Sequence, residues 1–399
     1  MMNVHVFLNL QGQRHLVGLL KDDPLGLLFQ YAPDFIKLNR SLSPVSIPLS
    51  TSTWKSANEL FNGLPGFIAD SLPDGWGSLL LDRQLRKKGK RLHQISPLER
   101  LCWVGNQGMG ALEYEPATEW EKLNSDEIHL DTLAQDVDAI LKEKESAEAL
   151  DMICGLNGSS GGARPKIVCL VSKDKKQLQR GVLTTDAFDP WMIKFQHSSD
   201  SKDIGVHEYI CSLIAKRAGI TMPQTHLFES QQGGGWFGTQ RFDRNLTGKY
   251  HVVTAAGLLH SDFRLPSLDY ATLMALTLRL CGKGALLEQF KRVILNFSLG
   301  NCDDHAKNFS FMMNEEGKWS MTPAYDIVTT NAFGNEHMTS LLGKGRDVDR
   351  ADFLNLAKRF DIDRNEANHA LDQVADAVGT YQELAKDFGV KAPSELTVF

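Results

Sequence analysis

The chain has no C-x-x-C pair, no apolar run of membrane-spanning length, no internal repeat and no low-complexity segment. Each absence removes a class of protein. The six cysteines (Cys102, Cys154, Cys169, Cys211, Cys281 and Cys302) are scattered among mostly apolar neighbours. That usage excludes a cysteine-based zinc site and a disulfide framework, and it suits reduced core thiols of a cytoplasmic protein. The lack of a long apolar run argues against a membrane span. Residues 1–8 alternate like a strand and carry no basic leader, so no signal peptide is expected. A formal net charge of -6 leaves no bulk positive field for nucleic acid. Positive charge is local instead. Arg83, Arg86, Lys87, Lys88, Lys90 and Arg91 form a short run, read as a solvated helix face or a contact for an acidic partner.

What is present is an ordinary globular balance: 399 residues, 42% hydrophobic and 23% charged, enough for two or three domains with real cores. Period-2 alternation predicts strands over residues 3–31, and helical spacing follows over 56–95, interrupted by Pro73-Asp74-Gly75. Gly105 to Gly110 reads as a turn into a strand at 111–115, and residues 116–135 as an acidic connector. One helix is expected over about 131–149, strands at 167–171 and 191–195, and a helix over about 203–218. Two strands flank Gly233-Gly234-Gly235, and from about 267 the pattern is helical. The fold class expected is α+β and two-lobed, with a strand-rich first part and a nearly all-helical C-terminal lobe. The divisions expected are 1–117, 118–245 and 246–399.

The chemistry concentrates in Asn301-Cys302-Asp303-Asp304-His305-Ala306-Lys307-Asn308-Phe309, followed by Pro323-Ala324-Tyr325-Asp326. Asp303 and Asn308 have the D-x-x-x-x-N spacing of a kinase catalytic loop, and Asp326 follows a predicted hairpin that folds it back beside them. In phosphoryl transfer one Asp orients the hydroxyl, while an Asn and a second Asp hold Mg²⁺ against the phosphates of ATP. Such a spacing also describes a polar surface loop, so what lies upstream decides. Gly161, Gly162, Ala163, Arg164, Pro165 and Lys166 lead into a strand, where glycines let backbone N–H groups approach phosphate. Lys194 stands inside an apolar strand, and Glu208 on the next helix can pair with it. Gln240, Arg241 and Phe242 end a strand at the place of an adenine-binding hinge; an Arg–Asp surface pair is the plainer reading. His305 reads as a packing or hydrogen-bonding residue, and Lys307 as a cation that offsets charge on the phosphoryl group. Glycine loop, lysine, glutamate, hinge, D-x-x-x-x-N, hairpin and Asp come in the order a kinase requires.

These residues resemble the HipA family, the serine/threonine-kinase toxins of bacterial toxin–antitoxin pairs. The resemblance rests on residues 161–166, Met192-Ile193-Lys194, Glu208-Tyr209, Arg241-Phe242-Asp243-Arg244, residues 303–309 and Met321 to Asp326. It extends to Phe29-Gln30-Tyr31-Ala32-Pro33, Phe61-Asn62-Gly63-Leu64-Pro65 and Leu72-Pro73-Asp74 in the first part. It implies Asp303 as the catalytic Asp, with Lys307 beside it, and Asn308 and Asp326 as Mg²⁺ ligands. It also implies that Lys194 and the glycine loop sit on ATP phosphates, with His305 and Tyr325 nearby. The family is regulated by autophosphorylation just before the glycine loop, where Ser159 falls, with Ser160 adjacent. Nearly two added negative charges would expel a phosphate-binding loop. The implied partners are a HipB-like helix-turn-helix antitoxin, operator DNA mainly through that antitoxin, and a protein substrate, in known members an aminoacyl-tRNA synthetase. Lys358-Arg359 and the 83–91 run are the candidates for direct DNA contact. Asp304 departs from the pattern where glycine is common, as does Arg164-Pro165. A small-molecule phosphotransferase and a non-catalytic co-repressor remain open at this point.

Overall fold

The computed structural model describes residues 2–24, 26–57, 60–118, 127–157, 161–231, 233–330, 336–394 and 396–399. The first part is a five-stranded antiparallel sheet ordered Trp54–Lys55, Gly26–Tyr31, Gln13–Asp23, Asn3–Leu10 and Leu112–Glu115. The alternation seen in the sequence is its cause: Val4, Val6, Leu8 and Leu10 point into the core from one face of the Asn3–Leu10 strand. A second five-stranded antiparallel sheet is ordered Leu178–Gln179, Lys166–Ser172, Phe188–Lys194, Trp236–Gln240 and Thr225–Phe228. Helix Ile204–Arg217 connects its strands. The C-terminal lobe is mainly helices, Tyr270–Cys281, Leu286–Leu299, Arg350–Arg359, Arg364–Gly379 and Tyr381–Asp387. It also holds a three-stranded sheet in which the predicted hairpin, Ser310–Met313 with Trp319–Met321, gains His251–Thr254 as a further strand.

Two apolar cores explain how these parts meet. The larger joins Val4, Val6 and Phe67 of the first part to Phe290, Val293 and Phe353 of the C-terminal lobe, with Ile210 and Ile214 of helix Ile204–Arg217. The smaller lies under the second sheet and takes in Trp76 and Leu80 of helix Gly75–Lys87. The first part therefore packs on both lobes, and the cleft lies where the cores separate. No helix among the described residues is long and apolar enough to cross a membrane.

Two expectations need amendment, and a third holds. The single helix expected over 131–149 is two, Leu130–Leu141 and Ala147–Leu156. Glu143 adopts a left-handed φ of 57° and Ser146 caps the second helix, its hydroxyl accepting from Ala149 N–H at 3.1 Å. Local stop and start signals outweighed a continuing apolar period. Apart from the buried Arg83, the basic run is exposed, as a solvated face is expected to be, with Arg83 paired to Glu143 at 2.9 Å, Arg86 to Asp82 at 2.7 Å and Lys87 to Asp151 at 3.2 Å. The Arg–Asp pair expected on the surface at 241–244 is instead a buried knot. Arg241 and Arg244 both reach the Asp243 carboxylate at 2.7 Å and donate to the Gly108 carbonyl, while Gly110 N–H donates to Asp243 at 2.7 Å. Despite burial, the two guanidiniums hold Asp243 well below the usual carboxylate range.

Candidate active site

Helix Leu286–Leu299 ends at Gly300, whose left-handed φ of 62° turns the chain sharply into the 301–308 loop. Asp304 anchors that loop from beneath. Its side chain is 0% exposed and accepts from Tyr270 O–H at 2.5 Å, His337 Nδ1 at 2.9 Å and Thr339 N–H at 3.1 Å. Burial opposes a charge on His337, but the hydrogen bonds to Asp304 and Cys302 outweigh it and push its pKa up to about 9. The sign of the linkage follows. A histidine whose folded pKa exceeds its unfolded value contributes fully below about pH 6.5. That contribution, about 3 kcal/mol for this shift, is lost as pH rises to about 9. Denaturant midpoints measured from pH 6 to pH 9.5 are expected to fall across this window, and His337→Gln to flatten the fall.

With Asp304 turned inward, Asp303 projects into the cleft, its side chain 67% accessible. The confining walls push its carboxyl above its ordinary pKa, His305 at 3.9 Å pulls it back and Asp326 adds to the rise. Asn308 closes the turn by donating to the Asp303 carbonyl at 2.7 Å. His305 packs edge-on against Phe263. Tyr325 O–H donates to the Lys307 carbonyl at 2.7 Å, so the residue before Asp326 braces the loop that carries Asp303.

Across the cleft, the Lys194 ammonium bonds to both Glu208 and Asp326. Burial works against the charge on Lys194, yet Asp326 and Glu208 raise its pKa. Burial likewise opposes ionisation of Asp326, but Lys194 and Lys166 hold it well below the usual carboxylate range, whereas burial dominates at Glu208 and raises it. Lys166 is buried and bonds to the Gly161 carbonyl, which folds the glycine loop over the cleft. Arg164 lies 3.4 Å from Asp200 and 3.9 Å from Glu208.

All of Gly161, Gly162, Ala163, Arg164, Lys166, Lys194, Glu208, Gln240, Arg241, Phe242, Asp303, His305, Lys307, Asn308, Tyr325 and Asp326 line one cavity of about 520 Å³, a size that suits a nucleotide. Pro165 is not among the lining residues; its carbonyl accepts from Phe195 N–H at 2.8 Å. The hinge expectation narrows. The N–H groups of Gln240 and Arg241 are already given to Gln224 and Pro190 carbonyls at 2.9 and 2.8 Å, so neither is left to donate to a base. Ser159 and Ser160 lie outside the described residues. Asn308 and Asp326 supply one amide and one carboxylate oxygen, a set that fits a hard cation completed by phosphates and water. No cluster of three or more His, Cys, Asp or Glu that could hold a metal occurs among the described residues.

Among the contributors to this cavity that sequence reasoning did not place in the site are Asp70, Asp74, Met109 and Phe263. Asp74 was visible only as a turn residue and as part of a family motif, and Met109 only beside a glycine-dense turn. Nothing local marks them as cleft residues, because tertiary docking of the first part puts them there.

The HipA-like C-terminal domain family matches residues 158–381, more than half of the chain, and the HipA N-terminal domain family matches residues 8–115. This chain belongs to the HipA family. As a HipA-family chain it is similar in fold to a solved Shewanella oneidensis complex of HipA, HipB and operator DNA, with a TM-score of 0.71 at 17% identity, covering 98% of this chain and 92% of that one. A solved Helicobacter pylori proinflammatory kinase, CtkA, gives a TM-score of only 0.34 at 13% identity, over 50% of this chain and 89% of its own. Among curated relatives, the Sinorhizobium fredii protein named "Putative kinase Y4dM" is 23% identical over 169 residues. That alignment takes in 39% of this chain and spans 41% of the relative's length.

Proposed function

We propose that this HipA-family chain is an ATP- and Mg²⁺-dependent protein serine/threonine kinase. The observation that carries the proposal is the placement of the Lys194–Glu208–Asp326 cluster and of Asp303 and Asn308 in one cavity beneath the glycine loop. In this reading Asp303 orients the substrate hydroxyl and takes its proton, helped by a carboxyl pKa raised in the cleft. Lys194 and the 161–166 loop bind phosphate oxygens, Lys307 offsets charge on the phosphoryl group, and Phe242 with backbone groups of 240–242 holds the base. Asn308 and Asp326 would hold Mg²⁺, which when bound neutralises phosphate charge. Glu208 keeps Lys194 aimed. The chain would divide into an N-terminal subdomain (1–117), a kinase N-lobe (118–245) and a C-lobe (246–399).

The same reading assigns Ser159 as a site of autophosphorylation, an aminoacyl-tRNA synthetase as the class of substrate, a HipB-like antitoxin as partner and the cytoplasm as location. The similar Shewanella structure contains HipB and operator DNA, which supports the partner assignment. With a net charge of -6 on this chain, DNA contact falls mainly to the antitoxin. Incubating the protein with γ-labelled ATP, Mg²⁺ and bacterial lysate is expected to label protein bands. Label confined to small molecules would favour a small-molecule phosphotransferase, and no transfer at all would favour a non-catalytic co-repressor.

A further inference from the structure

The glycine loop is held down by the N-terminal part of the chain. Asp74 precedes helix Gly75–Lys87 at the N-cap position, where an aspartate ordinarily caps its own helix, but its side chain makes no capping bond. One carboxylate oxygen instead accepts from Gly162 N–H at 2.6 Å, and the other meets the Lys307 ammonium at 2.7 Å. The next residues reinforce the first contact. Trp76 N–H donates to the Gly162 carbonyl at 3.0 Å, and Trp76 Nε1 donates to the Lys166 carbonyl at 3.1 Å. Gly75 lies so close that a Cβ there would overlap the Gly162 carbonyl. The loop is thus gripped through both backbone groups of Gly162 and again at its end.

The grip has a fixed base. Asp70, one turn earlier, accepts from Thr254 N–H at 2.7 Å and Thr254 O–H at 2.8 Å, which ties this segment to the C-terminal lobe. Asp74 therefore links a loop of the second sheet to a lysine of the 303–308 loop through a third element anchored on the catalytic side. Burial opposes its ionisation, but Lys307 and the Gly162 N–H hold its carboxyl below its ordinary pKa.

We infer that Asp74 is a positioning residue: with Trp76 it latches the glycine loop closed over the cleft and sets Lys307 relative to it. This rests on the kinase reading for its consequence in catalysis, though not for the latch itself. Two substitutions separate the two contacts. Asp74→Ala removes both, whereas Asp74→Asn keeps an oxygen for Gly162 N–H and loses the charge facing Lys307. The measurements, on the full chain, are hydrogen exchange across residues 161–167, and kcat and KM for Mg²⁺–ATP. For Asp74→Ala, faster exchange in that segment and a KM raised about tenfold are expected, the cost of one charge-assisted bond. For Asp74→Asn, near-normal exchange and KM are expected, with kcat reduced. Trp76→Phe, which keeps the packing and loses the Nε1 bond, is expected to speed exchange with a smaller rise in KM. Unchanged exchange and KM in Asp74→Ala would overturn the latch, and so would tighter ATP binding, which would mean that the carboxylate competes with phosphate. If the unsubstituted chain binds no ATP, the kinase reading fails while the exchange result still decides the latch. If it transfers phosphate and Asp74→Ala matches it throughout, the latch fails and the kinase reading stands.

Discussion

Asp303→Asn is expected to lower phosphoryl transfer by about 10²- to 10⁴-fold, the usual worth of a positioned general base, while leaving thermal stability nearly unchanged. The loss follows from chemistry: an amide can accept a hydrogen bond from the substrate hydroxyl but cannot take its proton. The preserved stability follows from position. Asp303 is the most open of the ionisable groups in its loop, its nearest ionisable neighbour, His305, is 3.9 Å away, and its surroundings already disfavour the charge. Removing that charge costs the fold little. Initial rates with γ-labelled ATP, set beside a thermal melt, test both halves. Normal transfer would move the hydroxyl-orienting role to another group, and a large loss of stability would mean that Asp303 has a structural role the geometry does not show.

The neighbouring Asp304→Ala is expected to do the reverse, destabilising the protein by about 3–5 kcal/mol, as breaking a buried ion pair does. Three donors lose their acceptor together: Tyr270 O–H, the Thr339 N–H and the charged His337 ring. The His337 pKa, now about 9, should collapse toward or below 6.5 once burial is no longer opposed. The difference between the two proteins should therefore be larger at pH 6 than at pH 9.5, where the ion pair is already lost. Urea melts at both values test this. Equal differences at the two pH values would mean that Asp304 acts through neutral hydrogen bonds alone. Activity should fall as well, through misplacement of Asp303 rather than loss of a reacting group.

Paired, these substitutions show how much was legible beforehand. Asp303, Asn308 and Asp326 could be found because phosphoryl transfer fixes both the residue types and their order along the chain. The hairpin and the strands that deliver them follow from period-2 alternation and turn residues, which are local properties. Asp304 looked like a departure where glycine is common. Its partners, Tyr270, His337 and Thr339, lie about thirty residues away on either side and carry no shared pattern. The Arg241–Asp243–Arg244 knot was misplaced to the surface for the same reason. Its burial depends on the turn at Gly108 and Gly110, more than a hundred residues earlier.

The sequence by itself determined the family, the α+β two-lobed plan and many of the groups lining the cleft, since periodicity, turn chemistry and motif order are written in neighbouring residues. Only the tertiary structure decided that the N-terminal part reaches into that cleft, where Asp70 ties it to the C-terminal lobe and Asp74 holds Gly162 and Lys307. The physical reason is that such contacts depend on how separate elements dock. Docking is set by apolar surfaces that two cores share between distant segments, and no stretch of adjacent residues records it.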